Sequence, residues 1–167
     1  MLELKPLSKE AIPAALEKVE RYRLLNEPEQ AESICLDILT SDPDNQKALI
    51  ALILSLSDQF ASGTSERVND TQALLPKLHR EYDRAYFAGI ICERRARALL
   101  ALGNLGSGYA AYDWFRGAMS WFEKAETMKR PENDEAVLRW NSCARFLNDH
   151  PQLAPGPEER GEPMLLE

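Results

Sequence analysis

Residues 118–140 read AMSWFEKAETMKRPENDEAVLRW. Small residues at Ala118 and Ala125 bracket the ring of Phe122, Pro131 follows, and a second amphipathic run starts near Asp134. One interpretation is an ordinary surface helix and a turn. The other is a unit of a repeat, in which small residues let two helices approach closely and the proline ends the second. Recurrence decides between them, and the spacing recurs. Ala31, Cys35 and Ile38 repeat the offsets of four and seven, with Pro43 twelve positions after Ala31 where Pro131 lies thirteen after Ala118. Half-patterns of small or apolar residues at relative positions 0, 3, 4 and 7 appear in Leu49/Leu52/Ile53/Leu56, in Ala85/Ala88/Gly89/Cys92 and in Val137/Trp140/Asn141/Ala144.

Outward from these stretches the periodicity is helical, and no alternating strand pattern stands out. Ile12, Ala15, Leu16, Val19 and Tyr22 follow the three-and-four spacing of one helix face. Pro13 suits a first turn, where its missing N–H costs nothing. "NEP" at 26–28 reads as a turn, and the next helix carries Ala31, Ile34, Cys35, Ile38 and Leu39 on one stripe. "SDPDN" at 41–45 ends it, with Asp44 or Asn45 placed to cap its successor. From Gln46 to Phe60 the chain is apolar nearly all round, so this helix needs neighbours on more than one side. A loop is expected at 61–66, a poorer helix interrupted at Pro76 over 67–79, and a strong helix over 80–102. "GNLGSG" at 103–108 breaks the pattern before an aromatic helix at 109–128 and a last helix at 134–148. Residues 1–150 thus form one helical domain. Residues 151–167 hold four of the ten prolines, and their composition predicts a disordered Pro/Glu-rich tail.

Composition bounds the function. The 167 residues suffice for one domain with a core, and 28% charged and 44% hydrophobic residues are ordinary for a soluble protein. A net charge of −7 argues against nucleic-acid binding, which needs a basic field. Cys35, Cys92 and Cys143 are too scattered for a disulfide framework or a zinc cluster, and free thiols fit a reducing, cytoplasmic setting. The start "MLELKPLSKE" has no secretory pattern, and the longest apolar run, 48–54, is too short to cross a bilayer, so no membrane role is expected.

The small–aromatic–small–proline spacing resembles the tetratricopeptide repeat family, whose unit is a helix–turn–helix of ~34 residues. The resemblance covers most of residues 12–148 and is closest over 12–60 and 109–148. Ala31 and Ala118 lie 87 positions apart; two units of ~34 leave a surplus of roughly 19, assigned to the loop near 61–66 and the stretch 103–117. Lys18 stands where the family has an apolar residue, and Val19, Ile53 and Asn141 stand where it has glycine. The resemblance implies an all-α fold of stacked helix–turn–helix repeats, a short α-solenoid. It also implies a concave groove lined by the first helix of each pair: Leu16, Glu17 and Glu20, then Lys47, Ile50, Ala51 and Leu54, then Leu138, Arg139, Ser142 and Arg145. Some relatives clamp a partner's terminal carboxylate with Lys and Asn there. Leu16 and Glu20 occupy the matching positions, so that clamp is not expected.

Other clusters carry less chemistry. Tyr112, Trp114, Phe115, Trp121 and Phe122 read as core packing rather than a stacking surface. "GNLGSG" lacks the phosphate-loop order and follows a helix, so it reads as a C-cap and turn. His79 and His150 are the only histidines, without a nucleophile or second ligand at a recognisable spacing. No catalytic, metal or cofactor site is therefore expected. "ERRAR" at 93–97, with Arg80 and Arg84, reads as a solvated basic face offset by Glu81, Asp83 and Glu93. The expected function is non-catalytic protein–protein interaction: a scaffold that holds a protein or peptide partner in the groove, or pairs with a second copy as a homodimer. The competing expectation is an all-helical enzyme or small-molecule sensor with a pocket near 109–128.

Overall fold

A computed structural model describes residues 1–63 and 65–156. Seven α-helices are present among them: α1 (Ile12–Leu24), α2 (Pro28–Ser41), α3 (Gln46–Ser57), α4 (Ser65–Gln72), α5 (Glu81–Leu102), α6 (Ser107–Glu126) and α7 (Glu135–Asp149). Short 3-10 turns occupy Lys9–Ala11, Leu75–Lys77 and Pro151–Leu153, and the described residues contain no strand. The fold is all-helical, as the periodicity predicts.

Local chemistry sets the helix ends. Pro13 and Pro28 fall in the first turns of α1 and α2, so Pro28 opens a helix rather than closing the preceding turn. Asn26, between them, takes a left-handed conformation (φ 59°) that asparagine tolerates. Of the two candidate caps before α3, Asn45 serves: its Oδ1 accepts from the Ala48 amide at 3.0 Å while its Nδ2 donates to Asp42. Gly103 ends α5 with φ 64°, and α6 begins at Ser107, two residues before the expected start. Pro76 does interrupt the 67–79 stretch, which divides into α4 and the 3-10 turn.

Each helix packs on its successor, most extensively α5 on α6, and α1 also touches α3 while α3 touches α5. Helix α3 explains its all-round apolarity by joining two cores. Ala48 and Leu52 belong to the core shared with α1 and α2, alongside Val19, Ala31, Cys35 and Ile38. Leu49 and Ile53 belong to the larger core built with α4–α7.

In that larger core Ala118, Phe122 and Ala125 are fully buried, as are Ala31, Cys35 and Ile38 in the other. The aromatic stripe is only partly core. Phe115 and Phe122 are buried, Tyr112 and Trp114 are half-buried, and Trp121 is 38% exposed beneath the Lys124 ammonium. The reason is angular: 115 and 122 lie on the buried face, and 114 and 121 lie one position round the helix. All three cysteines are free and buried, and desolvation pushes the thiols up, Cys35 and Cys143 to about 12 and Cys92 to about 11. The segment after His150 packs back, with Leu153 against Gly108, and the remaining tail, 157–167, lies outside the described residues.

Candidate functional site: a groove between two cores

Helices α1 and α3 lie side by side, and the face they share leaves a groove of about 720 Å³. Its lining includes Ile12, Leu16, Ile50, Ala51 and Leu54 as apolar floor, with Glu17, Glu20, Arg23 and Lys47 around them. The floor exists because α3 serves two cores. Leu16 and Ala51 rest against one, Ile50 and Leu54 rest against the other, and all four stay half-buried at the seam. The charged rim residues Glu17, Glu20 and Lys47 are exposed.

All seven of the residues that sequence places in the groove from the first and third helices line this one groove. The four from the last helix do not join it. Leu138 is 66% exposed, Ser142 is half-buried, Arg145 is exposed, and Arg139 reaches α5 to meet Glu93 at 3.6 Å. Helix α4 supplies no lining residue. It packs against α3 and α5 and sends Val68 into the larger core, so it does not turn the groove into core.

The sequence reading missed the polar end of the site. Asp58, just past α3, receives Arg23 of α1 at 2.8 Å and Arg94 of α5 at 2.7 Å. Arg94 Nη1 also donates to the carbonyl of Leu54 at 2.8 Å and to Ser57 Oγ at 2.7 Å. One guanidinium thus holds three acceptors at the C-terminal end of α3, where the Leu54 carbonyl also accepts from the Asp58 amide at 2.9 Å. Burial pulls the Arg94 pKa down while Asp58 opposes the shift, and the side chain is only 20% exposed.

Its neighbour Glu93 is buried at 4% exposure, with Arg97 at 3.2 Å on the next turn and Arg139 across on α7. The 93–97 stretch is therefore not the solvated face expected from its charge. Glu93 and Arg94 are anchors between helices, and Arg97 stacks over Phe115 and Phe146. The legible signal was context: a Glu–Arg pair placed between Ile90–Cys92 and Ala96 sits in a run of buried positions.

A second recess of about 530 Å³ lies between α5, α7 and the following 3-10 turn, lined by Arg97, Leu100, Ala101, Phe146, His150 and Leu153 among others. His150 stacks on Phe146 there, and its Nδ1 lies 2.8 Å from the Phe146 carbonyl. The other histidine, His79, is exposed, paired with Asp44 at 2.8 Å and far from His150 in the chain. No helix among the described residues is long and apolar enough to cross a membrane. No protein-family model, curated protein sequence or solved structure matches the chain.

Proposed function

We propose that this chain is a non-catalytic binding module of the tetratricopeptide-repeat kind, whose α1–α3 groove holds an amphipathic segment of a protein partner. One observation carries the proposal: Leu16, Ile50, Ala51 and Leu54 form a half-buried apolar floor that no other element among the described residues covers, at the seam of two cores. Apolar surface gathered in one concave place is the ordinary mark of a binding site. A helix with apolar residues at three-and-four spacing would bury its stripe on that floor and leave its polar flanks to the charged rim. The repeat assignment is supported by the buried sets Ala118/Phe122/Ala125 on α6 and Ala31/Cys35/Ile38 at the same offsets on α2, and by the contacts of α1 with α3 and α3 with α5, which are the contacts a row of alternate helices would make. A chain built this way presents a surface rather than a reaction centre.

Leu54→Glu tests the proposal, because Leu54 touches the groove and only the margin of the core. Panning a displayed peptide library against the parental protein should enrich sequences with helically spaced apolar residues. Those peptides should bind Leu54→Glu at least about tenfold more weakly, a loss of ~1.4 kcal/mol, while the melting temperature stays near parental. Size-exclusion chromatography of both proteins identifies a second copy as the occupant if only the parent dimerises. Equal peptide binding by parent and variant, or a collapsed melting temperature, contradicts the proposal.

A further inference from the structure

We infer that the segment held by the groove is acidic where it leaves Leu54, so that its carboxylates meet Arg97 and Arg139; this rests on the groove being a peptide site. The inference comes from the distribution of charge along the row of helices. Two carboxylates on this side of the molecule, Asp58 and Glu93, are each shared by two arginines. Four guanidinium groups therefore stand over two carboxylates, a local surplus of positive charge in a chain whose net charge is −7. The arginines are close enough to disfavour one another: Arg23 and Arg139 both act against the charge on Arg94. A partner carboxylate would relieve that repulsion.

The donors are available. The side chains of Arg97 and Arg139 are 45% and 43% exposed, and each guanidinium has five N–H groups, more than Glu93 can accept. Arg97 also borders the second recess, beside Leu100 and Phe146. The arginines thus stand between two apolar recesses, the α1–α3 groove on one side and the α5–α7 recess on the other. At the opposite margin, α1 offers exposed Glu17 and Glu20. Glu17 and Glu20 thus stand at one margin of the groove, and Arg97 and Arg139 stand beyond the other. A segment with apolar anchors at both ends and carboxylates between them matches this order. With packed helix axes roughly 8–10 Å apart, a segment crossing from α1 over α3 to α5 spans about 16–20 Å, or about 11–13 helical residues, before it reaches Arg139. A nucleic acid matches less well, since its evenly spaced phosphates would also meet Glu17 and Glu20 and the −7 of the chain.

The test uses three labelled 20-residue peptides with identical helically spaced leucines, whose remaining positions are mainly Glu, Gln or Lys, and a 20-nucleotide single-stranded oligonucleotide. Binding is read by fluorescence anisotropy at 50 and 500 mM salt. The Glu peptide should bind parental protein at least tenfold tighter than the Lys peptide at low salt, with the gap narrowing at high salt. Arg139→Gln, which leaves Arg97 on Glu93 and alters the lining of neither recess, should reduce that preference below threefold without weakening the Gln peptide. If the Gln peptide binds and Glu shows no advantage over Lys, the acidic partner is ruled out and the groove stands. Absence of binding by all three peptides overturns both the inference and the groove. Tighter binding of the oligonucleotide than of the Glu peptide also overturns the inference, in favour of a polyanion site.

Discussion

Gly89 sits on α5 directly against the ring of Phe122, so near that a Cβ there would stand 2.5 Å from the ring carbon Cε1. The glycine is required for space, because its backbone is helical and carries no positive φ. Gly89→Ala should therefore destabilise the fold by ~1–3 kcal/mol despite alanine's better helix propensity, since the ring is enclosed and must shift as a body. Phe122→Ala should cost ~3–5 kcal/mol through the cavity it leaves. The two sites are coupled, so Gly89→Ala should cost less in a Phe122→Leu background than in the parent. Urea denaturation of the singles and the double closes this cycle, and additive costs would contradict the contact. Spacing alone exposed Ala118, Phe122 and Ala125 as a close-packing set. It marked Gly89 only as part of a half-pattern, because the ring that demands a glycine comes from another helix. Arg94 shows the same limit more severely. Its charge reads as solvent-facing, and only the arrival of Leu54, Ser57 and Asp58 makes it an anchor.

Among the helices, α4 is the weak link. It is eight residues long, SERVNDTQ, and buries only Val68 and Thr71, whereas α5 and α6 run for 22 and 20 residues and share the most extensive contact in the molecule. Ser, Asn, Asp and Thr favour caps and turns over helix interiors, so most of the stability of α4 must come from packing that it has little surface to make. Hydrogen exchange followed by mass spectrometry should show residues 65–77 opening first, at least tenfold faster than the middle of α5. Protection of α4 equal to that of α5 would contradict this. The same weakness made the segment hard to read. A short helix with one apolar anchor has no periodicity to detect, whereas α1, α2 and α7 display theirs over three or more turns.

For the whole molecule, the buried thiols set a pH dependence. Cys35 and Cys143 are raised from 9.0 to about 12 and Cys92 to about 11, so the folded chain keeps three protons that the unfolded chain releases near pH 9. A group raised on folding stabilises below its unfolded pKa, and that stability is lost as pH climbs through the folded value. Stability should therefore hold up to about pH 8 and then fall, by about 1 kcal/mol per thiol at pH 10. Urea melts at pH 8 and pH 10 measure the loss, and a variant with all three cysteines changed to alanine should show a flatter profile. Equal slopes in parent and variant would exclude the thiols as the cause.

By itself the sequence determined that the chain is helical, roughly where each helix lies, and which side chains of α1 and α3 share a face, because helical periodicity and capping are local and survive without knowledge of neighbours. It also singled out the floor residues Ile50, Ala51 and Leu54, since α3 carries more apolar surface than one interface can bury. Tertiary structure alone decided that α4 leaves that floor uncovered, that Arg139 turns to Glu93 rather than to the groove, and that Asp58 and Arg94 close the site's polar end. Each of these depends on groups far apart in sequence meeting in space. Burial, which sets the strength of a charge pair and the role of an arginine, is a property of that meeting and not of the residue.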